Sequence, residues 1–363
     1  MAETRNLCFN WNVMKALTLI GVTLAACIAV LHAEIVPTLS TKELAESADL
    51  IIVGKVGPVD HTGAGTINLH GVSYPREDYR AEIRVDEIIK GEPVPSTFIL
   101  SYSTPSTDKW GNVAKGGLPP NTYRIVFLVK TSSGYEFASP YYASIPASPK
   151  PCGPGWNVNL GEDAYQKVQQ RVLSILCTDS SIEEKSLALW SVNWNPDPSA
   201  APFLEATLAL PQIKSSASLR TTILSDLLNW KEVSVLPLVE DELFQPSLHT
   251  EAYQKSNLLL AISRLDPQVS VPLLAHALKL PESEARAGAA RALEYTNSES
   301  AVDALLTALD DPDRDVQTQV MQALGNLTHQ HQWRPGSPDS DPNWMACVEH
   351  WREFETQRKT PPH

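Results

Sequence analysis

Residues 281–293 read PESEARAGAARAL, and residues 311–327 read DPDRDVQTQVMQALGNL. The buried-looking positions of the two stretches keep one register. Leu258, Ala261 and Ile262 recur 31 residues later as Ala289, Ala292 and Leu293, and again after another 31 as Val320, Ala323 and Leu324. Within each stretch the apolar residues fall at helical spacing. Ala285, Ala289, Ala292 and Leu293 form one stripe; Val316, Val320, Ala323, Leu324 and Leu327 form the next. A second stripe follows in each unit: Val271, Leu274 and Leu278, then Val302, Leu305, Leu306 and Leu309. A period of this length, built from two helices, predicts units that bury their faces only against their neighbours. The alanines predict close helix approach. Asp310-Asp311-Pro312-Asp313 predicts a break, because proline cannot continue a helix interior and acids suit the next helix start.

These two stretches resemble HEAT repeats of the short bacterial type, known as HEAT-like repeats of phycobilisome lyases. That family often carries arginine after the first buried residue of the first helix; Arg286 fits and Gln317 departs. The resemblance implies an α-solenoid over 162–327. It also implies a protein-binding concave face lined by the second helices or, as an alternative, an enzyme or enzyme accessory of the bilin-lyase type.

Upstream the pattern is ragged. Leu224, Leu227 and Leu228 align at an offset of 34, and Leu187 with Trp190 suggests a further first helix partnered by Phe203, Leu204 and Leu208. About five units are expected between 180 and 327. Downstream, 328–343 reads as a polar loop. Residues 344–357, with Trp344, Val348, Trp351 and Phe354 on one stripe, read as a capping helix before the 358–363 tail.

Residues 34–148 have a different texture. Ser40-Thr41-Lys42-Glu43 is a capping-box signature. Leu50–Val53 reads as a buried strand closed by Gly54. Tyr79, Ala81, Ile83 and Val85 alternate with Arg80, Glu82, Arg84 and Asp86, which predicts a strand with one wet face. Thr97–Leu100 and Tyr123–Val129 read as strands, and Tyr135–Phe137 as the return of a hairpin. Short strands with Gly and Pro turns predict a small antiparallel barrel or sandwich. The runs SADLIIVGKV (47–56), VDEIIKGE (85–92) and YRIVFL (123–128) resemble exported bacterial netrin-like domains of the OB type, similar to the barrel of tissue inhibitors of metalloproteinases. That implies protease-inhibitor-like binding as a second alternative. The inhibitors act through an N-terminal cysteine, whereas cleavage after Ala33 would leave Glu34. The fold class expected is therefore multidomain α+β: an OB-like β-barrel at 34–148, a Pro-rich linker at 149–161 and an α-solenoid of HEAT-like helix pairs.

Lys15 precedes sixteen uncharged, mostly apolar residues, and Leu31-His32-Ala33 ends as signal cleavage favours. Residues 1–33 read as a signal peptide. An uncleaved membrane anchor, or lipidation at Cys27 within Leu24-Ala25-Ala26-Cys27, are the other readings. The expected location is periplasmic or secreted, otherwise membrane-anchored or lipoprotein. An oxidising compartment permits a bridge between Cys152 and Cys177, with three free cysteines as the alternative. Cys347 is expected to stay alone.

The chain has 363 residues and a net charge of −13, which disfavours nucleic acid as a partner and leaves a membrane reachable only through an uncleaved or lipidated N-terminus. H-E-x-x-H, G-x-S-x-G and phosphate-loop motifs are absent from the sequence. His329 with His331 is a weak metal-ligand pair, and Asp310, Asp311, Asp313 and Asp315 lack EF-hand spacing, so they read as a solvated helix start. Trp190, Trp194 and Trp230 read as core filling rather than as a binding groove, His276 as a surface residue, and Asn326-Leu327-Thr328 as a formal glycosylation acceptor only. No catalytic, cofactor or metal site is expected. The function expected is non-catalytic protein binding or scaffolding with an unidentified protein partner.

Overall fold

Ser40 starts the described chain as a helix cap. Its hydroxyl accepts from the Glu43 N–H and the Glu43 carboxylate reaches back to the Ser40 N–H, so α1 (Thr41–Ser47) opens with the capping box read from sequence. The structure is a computed structural model that describes residues 40–69, 72–105, 117–139, 144–150, 152–153, 156, 158–193, 197–245 and 250–359. The signal segment with Cys27, Tyr141, Tyr142, Trp194 and residues 360–363 lie outside them.

Six strands follow: β1 (Leu50–Leu69), β2 (Val72–Lys90), β3 (Thr97–Pro105), β4 (Tyr123–Thr131), β5 (Gly134–Phe137) and β6 (Ser144–Pro146). All pairings are antiparallel, in the order β3-β2-β1-β4-β5, with β6 beside β4. Gly54 does not end β1. It sits mid-strand because a Cβ there would meet the Arg84 carbonyl oxygen at 2.2 Å, so only glycine lets β1 and β2 approach. Register shifts at Val53/Gly54 and beyond bend this long ribbon. The alternation in β2 is realised: Ala81 and Ile83 are fully buried, whereas Arg80, Glu82 and Arg84 are exposed. Leu50, Ile52, Val56, Ala81, Ile83, Leu100, Val126 and Leu128 form one core. The expected barrel is not closed by backbone pairing. The end strands β3 and β5 approach through Phe98–Tyr135 and Tyr102–Phe137 ring contacts, at 5.9 and 4.7 Å, with no ladder between them among the described residues.

Residues 149–161 do not stand off as a spacer. Cys152 is bonded to Cys177 across a sequence separation of 25. The Leu160 N–H donates to Gln170 Oε1 at 2.9 Å, Gln170 Nε2 donates to the Val158 carbonyl at 2.9 Å, and Trp156 packs on Phe203. Both Gln170 and the disulfide lie on or beside α2 (Ala164–Leu173), capped by Asp163. The sheet is fastened to the helices by an Arg171–Glu87 ion pair between α2 and β2, and by the Thr41 hydroxyl donating to the Ser191 carbonyl. Residues 40–363 accordingly group as one compact unit.

The helical part repeats as pairs. First helices are α3 (Ile182–Asn193), α6 (Ala217–Asn229), α8 (Ala252–Ile262), α10 (Ser283–Tyr295) and α12 (Arg314–Leu327). Their partners are α4 (Ala201–Thr207), α7 (Leu236–Phe244), α9 (Pro267–Ala277), α11 (Glu299–Leu306) and α13 (Trp344–Lys359); α5 (Pro211–Lys214) is a single turn in a connection. First helices pack on first helices, α6 on α8, α8 on α10 and α10 on α12, while α9 touches α11 in a separate row. Leu258, Ala261, Ile262, Ala289, Ala292, Leu293, Val320, Ala323 and Leu324 are all buried. Leu187 and Trp190 are not the buried pair of α3. They are 43% and 50% exposed, and Ala188 and Leu189 are buried instead. α3 starts at Ile182 and α6 at Ala217, farther apart than the 31 residues of the later units, so the later register does not extend to α3.

Two devices hold neighbouring pairs together. Gly288 lets α10 approach α8, since a Cβ there would lie 2.6 Å from Ser256 Oγ and 3.1 Å from its Cβ. Arg286 reaches into the next unit and binds both oxygens of Asp311 at 2.7 and 2.9 Å, while also donating to the Leu280 and Pro281 carbonyls. These side chains are only 12% and 6% exposed, so each arm of this bidentate pair is sheltered from competing water. Gln317, where the family pattern would place another arginine, instead donates to the Asp311 carbonyl at 2.8 Å.

Three outcomes follow from this packing. Gly288→Ala destabilises by roughly 1–3 kcal/mol through overpacking, although alanine is the better helix former by about 1 kcal/mol; Ser256→Gly in the same chain recovers part of the loss in denaturant titration. Arg286→Ala costs about 3 kcal/mol by leaving Asp311 buried and unpaired, and Arg286→Met/Asp311→Leu costs less than the single change. Cys152→Ala/Cys177→Ala lowers stability by about 3 kcal/mol, and intact-mass measurement with and without reductant registers the bridge directly.

Candidate functional site

The aspartates between α11 and α12 are structural. Asp311 clasps Arg286 and accepts from the Asp313 N–H; Asp313 caps α12 by accepting from the Asp315 and Val316 N–H groups; Asp310 pairs with Arg352. His329 and His331 face each other edge-on at 6.3 Å, and no group of three or more His, Cys, Asp or Glu that would hold a metal occurs among the described residues. Trp230 is half-buried and Trp190 exposed. Asn326 donates to the Glu294 carboxylate at 2.6 Å, which occupies the amide of the formal glycosylation acceptor.

The last pair is closed by aromatic residues. Trp344 Nε1 donates to the Thr318 hydroxyl at 2.9 Å and its ring lies under Arg314; Trp351 Nε1 donates to the Trp333 carbonyl, and Trp333 stacks on His350 at 4.1 Å. Cys347 is buried here as a free thiol. α13 also reaches across the second-helix row: Arg358 pairs with Glu299 and Asp303 of α11. Of the three second helices immediately before α13, that leaves α7 and α9 without a helix paired across them among the described residues.

Leu238 of α7 and Val269 of α9 are exposed apolar residues there. At the C-terminal ends of α7 and α9 lies a recess of about 230 Å³ lined by Leu243, Phe244, Lys255, His276, Lys279 and Glu282, among others. His276 is a surface residue, as its sequence context suggests, and its ring stacks on Phe244 at 4.1 Å, tilted by 21°. Lys255, which is 4% exposed, donates to Glu282 at 2.8 Å. The Lys255 bond is the largest reason that the Glu282 carboxyl is held below its ordinary value, ahead of its neighbours Arg286 and the backbone. The second Glu282 oxygen is buried without a partner. The recess thus offers an aromatic face beside charged Lys255, Lys279 and Glu282. Phe244, Lys255 and Glu282 come from three different units, and no local pattern in the sequence marks them as neighbours.

A second concavity, of about 800 Å³, lies in the β-domain along the unpaired margins of β3 and β5. Aromatic side chains of Tyr79, Phe98, Tyr102, Tyr135 and Phe137 line it, with Arg76 and Asp78 at its border.

Residues 249–340 match the family model described as HEAT repeats, a span that covers α8 to α12. No curated protein and no solved structure matches the chain.

The Lys255–Glu282 pair gives a pH signature. Glu282 has a folded-state pKa below its ordinary 4.5. Its contribution is therefore complete above pH 4.5 and is lost as the pH falls through the folded value. Lys255→Met removes the largest cause of that lowering and leaves the smaller ones from the backbone and Arg286, so melting temperature falls less steeply on acidification than in the unchanged chain.

Proposed function

We propose that this chain is a non-catalytic binding and scaffolding protein acting outside the cytoplasm, with the helix pairs forming an α-solenoid whose second-helix row carries the partner. The observation that carries the reading is the division of labour between rows. First helices are consumed by stacking on each other, α13 covers α11, and α7 with α9 remains open beside a recess with a stacked Phe244–His276 pair. The HEAT match over 249–340 supports it, since such repeats commonly mediate protein interaction. The acidic net charge argues for a protein rather than a nucleic-acid partner. The Cys152–Cys177 bridge supports export, because such bonds persist in oxidising compartments, and it agrees with the signal-like segment 1–33. The strand order β3-β2-β1-β4-β5, with β3 and β5 running the same way at the open seam, supports an OB-type barrel whose closing pair is not made.

The test places a photo-crosslinking amino acid at Val269 on α9 and, separately, at Ile182 on α3, in cells that produce the whole chain. Mass spectrometry of the adducts is expected to give one protein partner from Val269 and none from Ile182. Leu238→Asp is then expected to weaken that partner at least tenfold, about 1.4 kcal/mol. Equal adducts from both positions would overturn the assignment of the face. A substrate turned over by the purified chain, and abolished by one substitution, would overturn the non-catalytic reading.

A further inference from the structure

The groove between α6 and α8 departs from the pattern of the later units. With the offsets of 34 and 31, Ser225 falls in register with Leu259, Ala290 and Met321, and Gln254 with Ala285 and Val316. Those five later residues are all fully buried apolar side chains. Here a hydroxyl and an amide take their places. Gln254 is satisfied: its Oε1 accepts from the Glu251 N–H at 3.0 Å, and its Nε2 donates to the Tyr253 hydroxyl at 3.2 Å. Ser225 is not. Thr221 and Thr222, on the same helix, spend their hydroxyls on carbonyls one turn back, the usual outlet for a helical hydroxyl. Ser225 Oγ is buried and makes no such bond. A hydroxyl withdrawn from water without a partner destabilises a fold, whereas an apolar residue in that position does not.

We propose that this groove is a binding site for one neutral sugar ring, held by Ser225, Asp226 and Asn257 and stacked on Tyr253. A recess of about 170 Å³ opens there, lined by these four residues together with Thr221 and Thr222, among others. The lining carries hydroxyls, amides and one carboxylate, and no cationic side chain. A phosphate or carboxylate ligand would find no counter-charge in it. Ring hydroxyls, which both donate and accept, match such a set of groups. Ser225 Oγ brings a hydroxyl with no bond inside the protein. Asp226 is buried, and a carboxylate has about four lone-pair sites, so it can accept from a sugar hydroxyl in addition to its contacts within the fold. Tyr253 lines the same recess yet is 56% exposed. Its hydroxyl is tied by Gln254, which leaves the ring as a flat apolar face for the C–H side of a pyranose. The volume lies below the ~300–1,000 Å³ of drug-sized ligand sites, which limits the occupant to a single ring. This site belongs to the first-helix row and stands or falls independently of the face formed by α7 and α9.

The probes are glucose, galactose, mannose and N-acetylglucosamine, with sorbitol as an open-chain control, applied to the whole chain. Saturation-transfer NMR shows which sugar binds, and titration calorimetry gives its affinity. At least one of the four rings is expected to bind. Sorbitol has the hydroxyls without the ring face and is expected to bind at least tenfold more weakly. Ser225→Ala removes the unpartnered hydroxyl. It is expected to weaken binding at least tenfold while the melting temperature stays the same or rises, which loss of a purely structural hydroxyl would not produce. Tyr253→Ala is expected to weaken binding at least tenfold, whereas Tyr295→Ala, which removes a similarly exposed ring from α10 at 62% exposure, leaves it unchanged. No binding of any of the four rings up to ~10 mM overturns the proposal. Equal affinity for sorbitol overturns it too, as does unchanged affinity in folded Ser225→Ala or in Tyr253→Ala. If Ser225→Ala fails to fold, Tyr253→Ala decides, since that side chain is exposed and its loss leaves the core intact.

Discussion

Backbone proximity between successive first helices is the constraint on which the helical half rests. Gly288 against Ser256 and the fully buried Ala289, Ala290 and Ala292 draw α8, α10 and α12 together. Close approach has a geometric side effect. It consumes the small-residue faces of the first helices and displaces the second helices into their own row. It also brings the loop before α12 within reach of Arg286, so the bidentate clasp on Asp311 forms between units rather than within one. Larger residues at 288–292 would lengthen that reach and separate the arginine from its carboxylate.

The β-domain and the helices are joined by several small attachments rather than one large one. The Arg171–Glu87 pair, the Thr41 hydroxyl bond to Ser191 and the disulfide beside α2 are spread over different stretches of chain. A proline-rich composition at 149–161 suits a strap laid along a helix as well as it suits a spacer. Hydrogen bonds through Gln170 decide between the two.

The later repeats were legible because their helices start at regular intervals, at Ala252, Ser283 and Arg314, and their buried faces use small residues that leave a clear stripe. The earlier ones were harder. The connection that holds α5 lengthens the interval between α3 and α6, so the later register does not reach α3, and nothing local favours Ala188 and Leu189 over Leu187 and Trp190. In the sheet, the alternation of β2 was readable residue by residue, but Gly54 looked like a stop. Its role depends on the Arg84 carbonyl across the ladder, which no local window contains. The recess around Phe244, His276, Lys255 and Glu282 was invisible for the same reason: its parts meet only after three units have stacked. Cys152 and Cys177 are legible as a candidate pair because only 25 residues separate them, one on each side of α2.

The aromatic closure of the last pair has a consequence for what the helical row can hold. Trp344 on Thr318 and Trp351 on Trp333 lay α13 against α12 and the turn that follows it. Packed helices lie about 8–10 Å apart. From α6 to α12 the stack of first helices therefore measures about 25–30 Å by that spacing. The open α7–α9 part of the other row spans only one such spacing, so a helix laid across it would meet it over about six residues, at 1.5 Å per residue.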